Sequence, residues 1–207
     1  MTDDALRETF LSGEEVFHGK LINVEHWQVR LPDGQTALRE VVKHRGAAAV
    51  VPIDDDGNVT LVRQHRVAVG RFTWEIPAGK LDAAQENPLA AARRELEEET
   101  GLRAENWRFL TKIDTTPGFC TEQISIFLAT GLSQHHDHPD ADEFLRLTKM
   151  PLEQAVALCM GGELCDSKTI IGLMMAQRLL HAGDAPALHV PAQIERIGGA
   201  YPSHAGK

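Results

Sequence analysis

The stretch Gly79 to Leu102, GKLDAAQENPLAAARRELEEETGL, sets five glutamates and two arginines between two glycines and constrains the chain more than any other segment. Local rules predict a single helix there. Asn87 suits the N-cap, Pro88 the first helical position, Leu89 to Thr100 are mostly strong helix formers, and Gly101 is a natural stop. At ~100° per residue, Leu89, Ala92 and Leu96 form an apolar stripe, and Glu95, Glu98 and Glu99 share an adjoining face. Three like charges so spaced repel one another. Either solvent and salt screen them or a divalent cation neutralises them, and hard cations such as Mg²⁺ and Mn²⁺ prefer carboxylate oxygens. The surroundings favour the cation. Glu75-Ile76-Pro77-Ala78-Gly79 reads as a short apolar strand ending in a turn, and Arg93 and Arg94 adjoin the acids, where one can pair with a carboxylate and the other meet an anion.

The rest of the chain supplies strands. Val16-Phe17, Ile22 to Leu31 and Ala37 to Val42, with a Pro32-Asp33-Gly34 turn, predict a small antiparallel sheet. Ala47 to Ile53 is almost wholly apolar, as a strand buried on both faces should be, and Asp54 to Asn58 is expected to turn it into a hairpin with Val59 to Gln64. Trp107 to Ile113 and Ile124 to Ala129 read as two further strands, and Pro151 to Met160 and Lys168 to His181 as helices. From Gly183 onward the chain is rich in Gly, Pro and His and predicts little regular structure.

Composition narrows the function. A chain of 207 residues with 43% hydrophobic content can bury one substantial core. Its net charge of −9 argues against a nucleic-acid duplex as partner, because affinity for phosphate backbones rests on clustered Lys and Arg. No signal segment opens the sequence, no apolar run approaches the length of a membrane span, and Cys120, Cys159 and Cys165 form neither an even set nor a CxxC pair. A cytoplasmic protein with reduced, buried thiols is the expectation. The run His135-His136-Asp137-His138 reads as solvated loop imidazoles rather than a metal site.

Gly79, Glu86 and the run Arg94-Glu95-Leu96-Glu97-Glu98-Glu99-Thr100-Gly101-Leu102 resemble the Nudix box: a glycine, five residues, a glutamate, seven residues, then REUxEExGU with U aliphatic. Six residues rather than five separate Gly79 from Glu86, a departure confined to the loop before the helix. Beyond the box, LVRQHR at 61–66, EIPAGK at 75–80, TTPGF at 115–119, DADEF at 140–144 and GELCDSKTIIGLMMA at 162–176 together resemble the ADP-ribose pyrophosphatase subfamily. In that subfamily a proline about fifteen residues past the box accompanies ADP-ribose preference, and Pro117 lies fifteen after Leu102. His65 stands where tyrosine is common and Lys43 where glutamate is, both on the base-binding side.

The resemblance implies an α/β fold, an α/β/α sandwich with a mixed sheet, preceded by a small N-terminal antiparallel sheet. Residues 1–45 would be a dimerisation element, 46–182 the hydrolase domain and 183–207 a weakly patterned tail. It implies Mg²⁺-dependent hydrolysis, with Mn²⁺ as a possible substitute, of ADP-ribose to AMP and ribose 5-phosphate by a homodimer. Other nucleoside diphosphate sugars or dinucleotides, and a non-catalytic nucleotide sensor, are the alternatives. By matched position, Glu95 and Glu99 are the primary metal ligands, with Glu98 as a further ligand or orienting group and the carbonyl of Ala78 completing the shell. Glu143 matches the loop carboxylate that positions or deprotonates water, with Glu98 and Glu99 the other catalytic candidates. Arg66, Arg39, Glu75, Phe119 and Glu122 are the candidates for binding substrate, and Arg94 is expected to lock Glu75 or a helical carboxylate in place.

Overall fold

The all-apolar run after residue 46 becomes strand β4, Ala47–Pro52, and every residue of it is buried. Alternation then divides its side chains between two cores. Ala47, Ala49 and Val51 join one core with Ile126, Leu164 and Leu173, whereas Ala48 and Val50 join the other with Ala92, Leu96 and Phe127. Fully burying side chains such as Leu96, Ile126 or Leu173 contributes ~1.5–3 kcal/mol each, so this strand and the layers on its two faces form the stable centre of the fold.

The structure, a computed structural model, describes residues 3–83, 85–135 and 144–181. Along the chain run β1 Thr9–His18, β2 Asn23–Arg30, β3 Thr36–Lys43, β4, β5 Asn58–Arg66, β6 Arg71–Glu75 and β7 Ala78–Lys80. Helix α1 Pro88–Thr100, β8 Leu102–Asp114, β9 Gln123–Gln134, β10 Arg146–Pro151, α2 Leu152–Gly161 and α3 Ser167–His181 complete it. The strands form three sheets, ordered β1-β2-β3, β10-β5-β6 and β7-β4-β9-β8. The last is mixed, with β4 parallel to β9 and antiparallel to β7. Helix α1 packs on one face of it and α2 with α3 on the other, giving the expected α/β/α sandwich with the antiparallel N-terminal sheet before it. No helix among the described residues is long and apolar enough to cross a membrane.

Three expectations need correction. Asp54 to Asn58 does turn the chain, and the Asp54 carboxylate accepts from the backbone N–H of Asp56 and Asn58, but no hairpin between β4 and β5 follows. A single bridge, Ile53 to Val59, joins them before β5 leaves to pair with β10 and β6. The Glu75–Gly79 segment is not one strand: β6 ends at Glu75, and β7 begins at Ala78 and pairs with β4 instead. The three thiols are free as expected, yet Cys165 is exposed and Cys120 and Cys159 are only partly buried.

The N-terminal sheet is held to the sandwich through β3. Val42 N–H donates to the carbonyl of Phe119 (2.7 Å), Thr121 N–H donates to the carbonyl of Val42 (3.0 Å), and His44 N–H donates to the hydroxyl of Thr121 (2.9 Å).

Candidate active site

Helix α1 forms for the reasons its sequence suggests. The Asn87 side chain accepts from Leu89 N–H (2.8 Å), Pro88 opens the first turn, and Gly101 ends the helix at φ +67°, a left-handed conformation that costs other residues ~1 kcal/mol or more. Ala92 and Leu96 face the core, and the adjoining face carries Glu95 and Glu99, which are only 7% and 6% exposed. Burying carboxylates is costly unless they are bonded, and both are.

Glu99 Oε2 accepts from the backbone N–H of Ala78 (3.0 Å), tying the helix to β7. Arg94 Nη1 donates to Glu95 Oε1 (2.7 Å) and Glu98 Oε2 (3.0 Å), and Nη2 donates to the carbonyl of Lys80 (3.2 Å). Arg94 thus locks two helical carboxylates, one of the two roles expected for it, and pulls the β7 end against the helix. Burial would lower its pKa, but the charges of Glu95, Glu98 and Asp82 raise it overall. Glu86 accepts from Asp82 N–H (2.6 Å) and lies 3.8 Å from Arg94, so the lengthened loop still returns its glutamate to the cluster.

Gly79 is the geometric key. A Cβ there would lie 2.1–2.2 Å from all three atoms of the Glu95 carboxyl group, so the carboxylate occupies the space that any other residue would fill. Among the described residues no three acidic or histidine side chains yet converge on one point, because Glu95 and Glu98 turn to Arg94 and Glu99 to Ala78. Their chemistry fits a hard divalent cation nonetheless: carboxylate oxygens on one helix face, pinned by a guanidinium and a backbone N–H, with a glycine cradle beneath.

Arg66 and Glu75 form the next layer. Arg66 donates from Nε to Glu75 Oε1 and from Nη2 to Glu75 Oε2, both at 2.8 Å, a bidentate pair. Glu75 is 3% exposed, whereas the Arg66 side chain is 45% exposed and feels the charges of Asp166 and Glu99. Burial would raise the Glu75 carboxyl, but the hydrogen bond from Arg66 and the charge of Lys168 outweigh it and hold it at about 2. The partner that locks Glu75 is therefore Arg66, with Lys168 behind it; Arg94 does not reach it. The segment GELCDSKTIIGLMMA carried both Lys168 and Asp166 into the resemblance, but nothing in it assigned either residue a role at the site.

Arg39 and Phe119 gather elsewhere, and Glu122 stands beside His44 outside their cleft. Arg39 and Phe119 line a cleft of about 310 Å³ between the N-terminal sheet and the loop Pro117–Thr121, together with Phe10, Trp27, Lys43 and Cys120. Phe10 meets Trp27 edge-on with centroids 5.2 Å apart, and Lys43 Nζ stands 5.2 Å from the Trp27 centroid. Arg39 is held by Glu8 at 2.5 and 3.1 Å. Glu122 Oε1 is 3.4 Å from His44 Nδ1, and two residues on from His44 the carbonyl of Gly46 accepts from Leu81 N–H, so a short segment links the cleft to the loop before α1. Glu143, His136, Asp137, His138 and the tail from residue 183 lie outside the described residues.

The chain is similar to several known proteins. An ADP-ribose pyrophosphatase of Mycobacterium tuberculosis is 40% identical over 170 residues, covering 79% of this chain and 80% of that protein. An ADP-ribose pyrophosphatase of Bacillus subtilis is 39% identical over 175 residues, covering 84% and 94%. A crystal structure of an ADP compounds hydrolase superposes with a TM-score of 0.75 at 24% identity, covering 86% of this chain and 96% of that one, which speaks for the fold. Residues 43–167, from the end of β3 to the first residue of α3, match the NUDIX domain, and with the glycine-cradled glutamates of α1 inside that span the chain belongs to the NUDIX family.

Proposed function

We propose that this protein hydrolyses the diphosphate bridge of ADP-ribose to AMP and ribose 5-phosphate, with Mg²⁺ or, in its place, Mn²⁺. The observation that carries this reading is the Gly79 cradle under Glu95, set beside Glu99 and Glu98 in a chain about 40% identical to two ADP-ribose pyrophosphatases over most of its length. Glu95, Glu99, Glu98 and the carbonyl of Ala78 would hold the cation. Bound there, it would supply charge neutralisation for the diphosphate and a lowered pKa for water.

The chain's own residues orient and select. Arg66, clamped by Glu75, presents the outer edge of its guanidinium to a phosphate oxygen. Glu75 acts by holding that clamp, since both its oxygens already accept two hydrogen bonds. The cleft between Trp27, Phe119 and Arg39 is of a size and aromatic character suited to a nucleoside. Glu122, at the junction of cleft and α1 loop, faces the substrate between the two. Glu143 belongs to the water, as the group that orients or deprotonates it, with Glu98 and Glu99 as the helical carboxylates nearest the reaction.

The division into residues 1–45, 46–182 and 183–207 belongs to the same reading, as does a homodimer joined through the N-terminal sheet. Support for the dimer comes from β1, whose Leu11, Val16 and Phe17 are exposed, on a three-stranded sheet of modest size. A cytoplasmic location accords with the three free thiols. The deciding experiment is turnover of ADP-ribose, GDP-mannose, UDP-glucose, NADH and diadenosine polyphosphates with Mg²⁺, read as phosphate released after phosphatase coupling. ADP-ribose is expected to give the highest kcat/KM. A higher value for a different nucleoside diphosphate derivative would overturn the substrate, and no turnover of any would overturn the activity.

A further inference from the structure

Lys168 is 8% exposed, and a buried ammonium is tolerated only with close counter-charges. Its Nζ lies 2.5 Å from Glu75 Oε2 and 3.1 Å from Asp166 Oδ2. Asp166 in turn caps α3, accepting from Thr169 N–H (3.0 Å) and the Thr169 hydroxyl (2.6 Å), and that hydroxyl accepts from Ile76 N–H (2.9 Å). The start of α3 is therefore fastened at two points to the segment that ends β6 and leads into the Ala78–Gly79 cradle. On its other side Glu75 carries Arg66, with Thr73 donating to Oε1 (2.7 Å).

Stability alone is a weak reason for this cluster, because buried ion pairs can often be replaced by apolar side chains without loss. Its placement gives a better one. Arg66 paired with Glu75 alone would be nearly neutral toward an incoming anion, and Glu75 would be free to rotate with its partner. A second cation on Glu75 Oε2 shares that negative charge and fixes the carboxylate plane, so the half-exposed guanidinium keeps both its aim and its pull.

We propose that Lys168 is a positioning residue for substrate binding, acting through Glu75 to hold Arg66 aimed at the substrate diphosphate and to share the carboxylate charge that would otherwise offset the guanidinium. This rests on the reading of Arg66 as a phosphate-binding group. The test is a double-mutant cycle on kcat and KM for ADP-ribose with Arg66→Gln, Lys168→Met and both together, each variant checked for folding by circular dichroism. Lys168→Met is expected to raise KM ~10-fold with kcat changed less than ~3-fold, and the double variant to have a kcat/KM within ~2-fold of Arg66→Gln alone. A purely structural ion pair would lower Tm and leave KM where it was.

If Lys168→Met folds poorly, Lys168→Gln with Asp166→Asn, which removes one charge of each sign, takes its place against Asp166→Asn as reference. An unchanged KM in the folded lysine variant, or effects that simply multiply in the double variant, would overturn the role of Lys168 while Arg66→Gln still raises KM. Should Arg66→Gln leave KM unchanged as well, the reading of Arg66 falls and this proposal with it.

Discussion

Gly79→Ala tests the cradle with one methyl group. A Cβ at residue 79 would stand 2.1 Å from Glu95 Cδ, whereas carbon atoms in contact keep about 3.5 Å, so the carboxyl must retreat by about 1.4 Å. The backbone can accept alanine, since Gly79 is not among the positive-φ glycines. The obstacle is also the far end of a side chain, which can swing if Arg94 releases it. Stability should thus change by no more than ~1 kcal/mol, with the lower entropy of the unfolded chain offsetting part of that cost. Catalysis is less forgiving, because a displacement of ~1 Å in a site costs on the order of 10²-fold, or about 2.7 kcal/mol of barrier. The expected result is a kcat for ADP-ribose down ~10²-fold, weaker Mn²⁺ binding by isothermal titration, and a Tm within a few degrees of the parent. Wild-type turnover and Mn²⁺ affinity in Gly79→Ala would refute the argument that Glu95 must lie where it does.

Three other perturbations probe separate parts. Glu75 has its carboxyl lowered from 4.5 to about 2 in the folded state, so its ionisation contributes up to ~3 kcal/mol above pH 4.5 and loses that contribution as pH falls toward 2. Urea denaturation should therefore show wild type well above Glu75→Gln at pH 7 and the two drawing together only as pH falls to about 2; a gap independent of pH would contradict the assignment. Deleting residues 1–45 should abolish both assembly and activity, and light scattering that finds the intact chain as a fully active 22.8 kDa monomer would contradict the dimer. Glu143→Gln should cut kcat strongly, leave KM within a few-fold and keep the Mg²⁺ dependence nearly unchanged, unlike Glu95→Gln, which added Mg²⁺ should partly rescue; a Glu143 variant equal to wild type would remove it from the reaction.

The parts of this structure that were legible in sequence are those fixed by neighbours along the chain. Helix α1 has its cap, its proline and its left-handed glycine within fifteen residues, and β4 announces burial on both faces by having no polar residue to turn outward. The turn at Asp54–Asn58 was equally plain, but a turn does not say which sheet the next strand will join, and β5 takes as neighbours β6, which follows it, and β10, which lies far downstream. β10 itself, RLTKMP, mixes charge with few apolar side chains because it is an edge strand with one modest buried contact, Met150. Lys168 hid for a related reason. A lysine in the first turn of a helix looks solvent-bound, and only the packing of α3 on the β6 side brings it to a carboxylate 93 positions earlier. Cys165 shows the converse: its type suggested burial, and the loop before α3 leaves it at the surface.

The parallel pairing of β4 with β9 has a consequence for how this enzyme comes into being. β4 is the strand on which α1 rests, yet its parallel neighbour arrives only after α1 and β8 have been made, with Ala47 waiting for Ile124. During synthesis the glutamate helix therefore emerges onto half a sheet, with Val50 and Ala48 able to meet it but β9 still inside the ribosome. Closing so long a loop is slow, and local contacts cannot substitute for it. The contacts of the cradle itself lie within residues 47–99, but the core on which α1 rests includes Phe127 and Ala129 and closes only when the β9 register locks, so a nascent or truncated chain ending before residue 129 should carry an intact Nudix box and no stably held site.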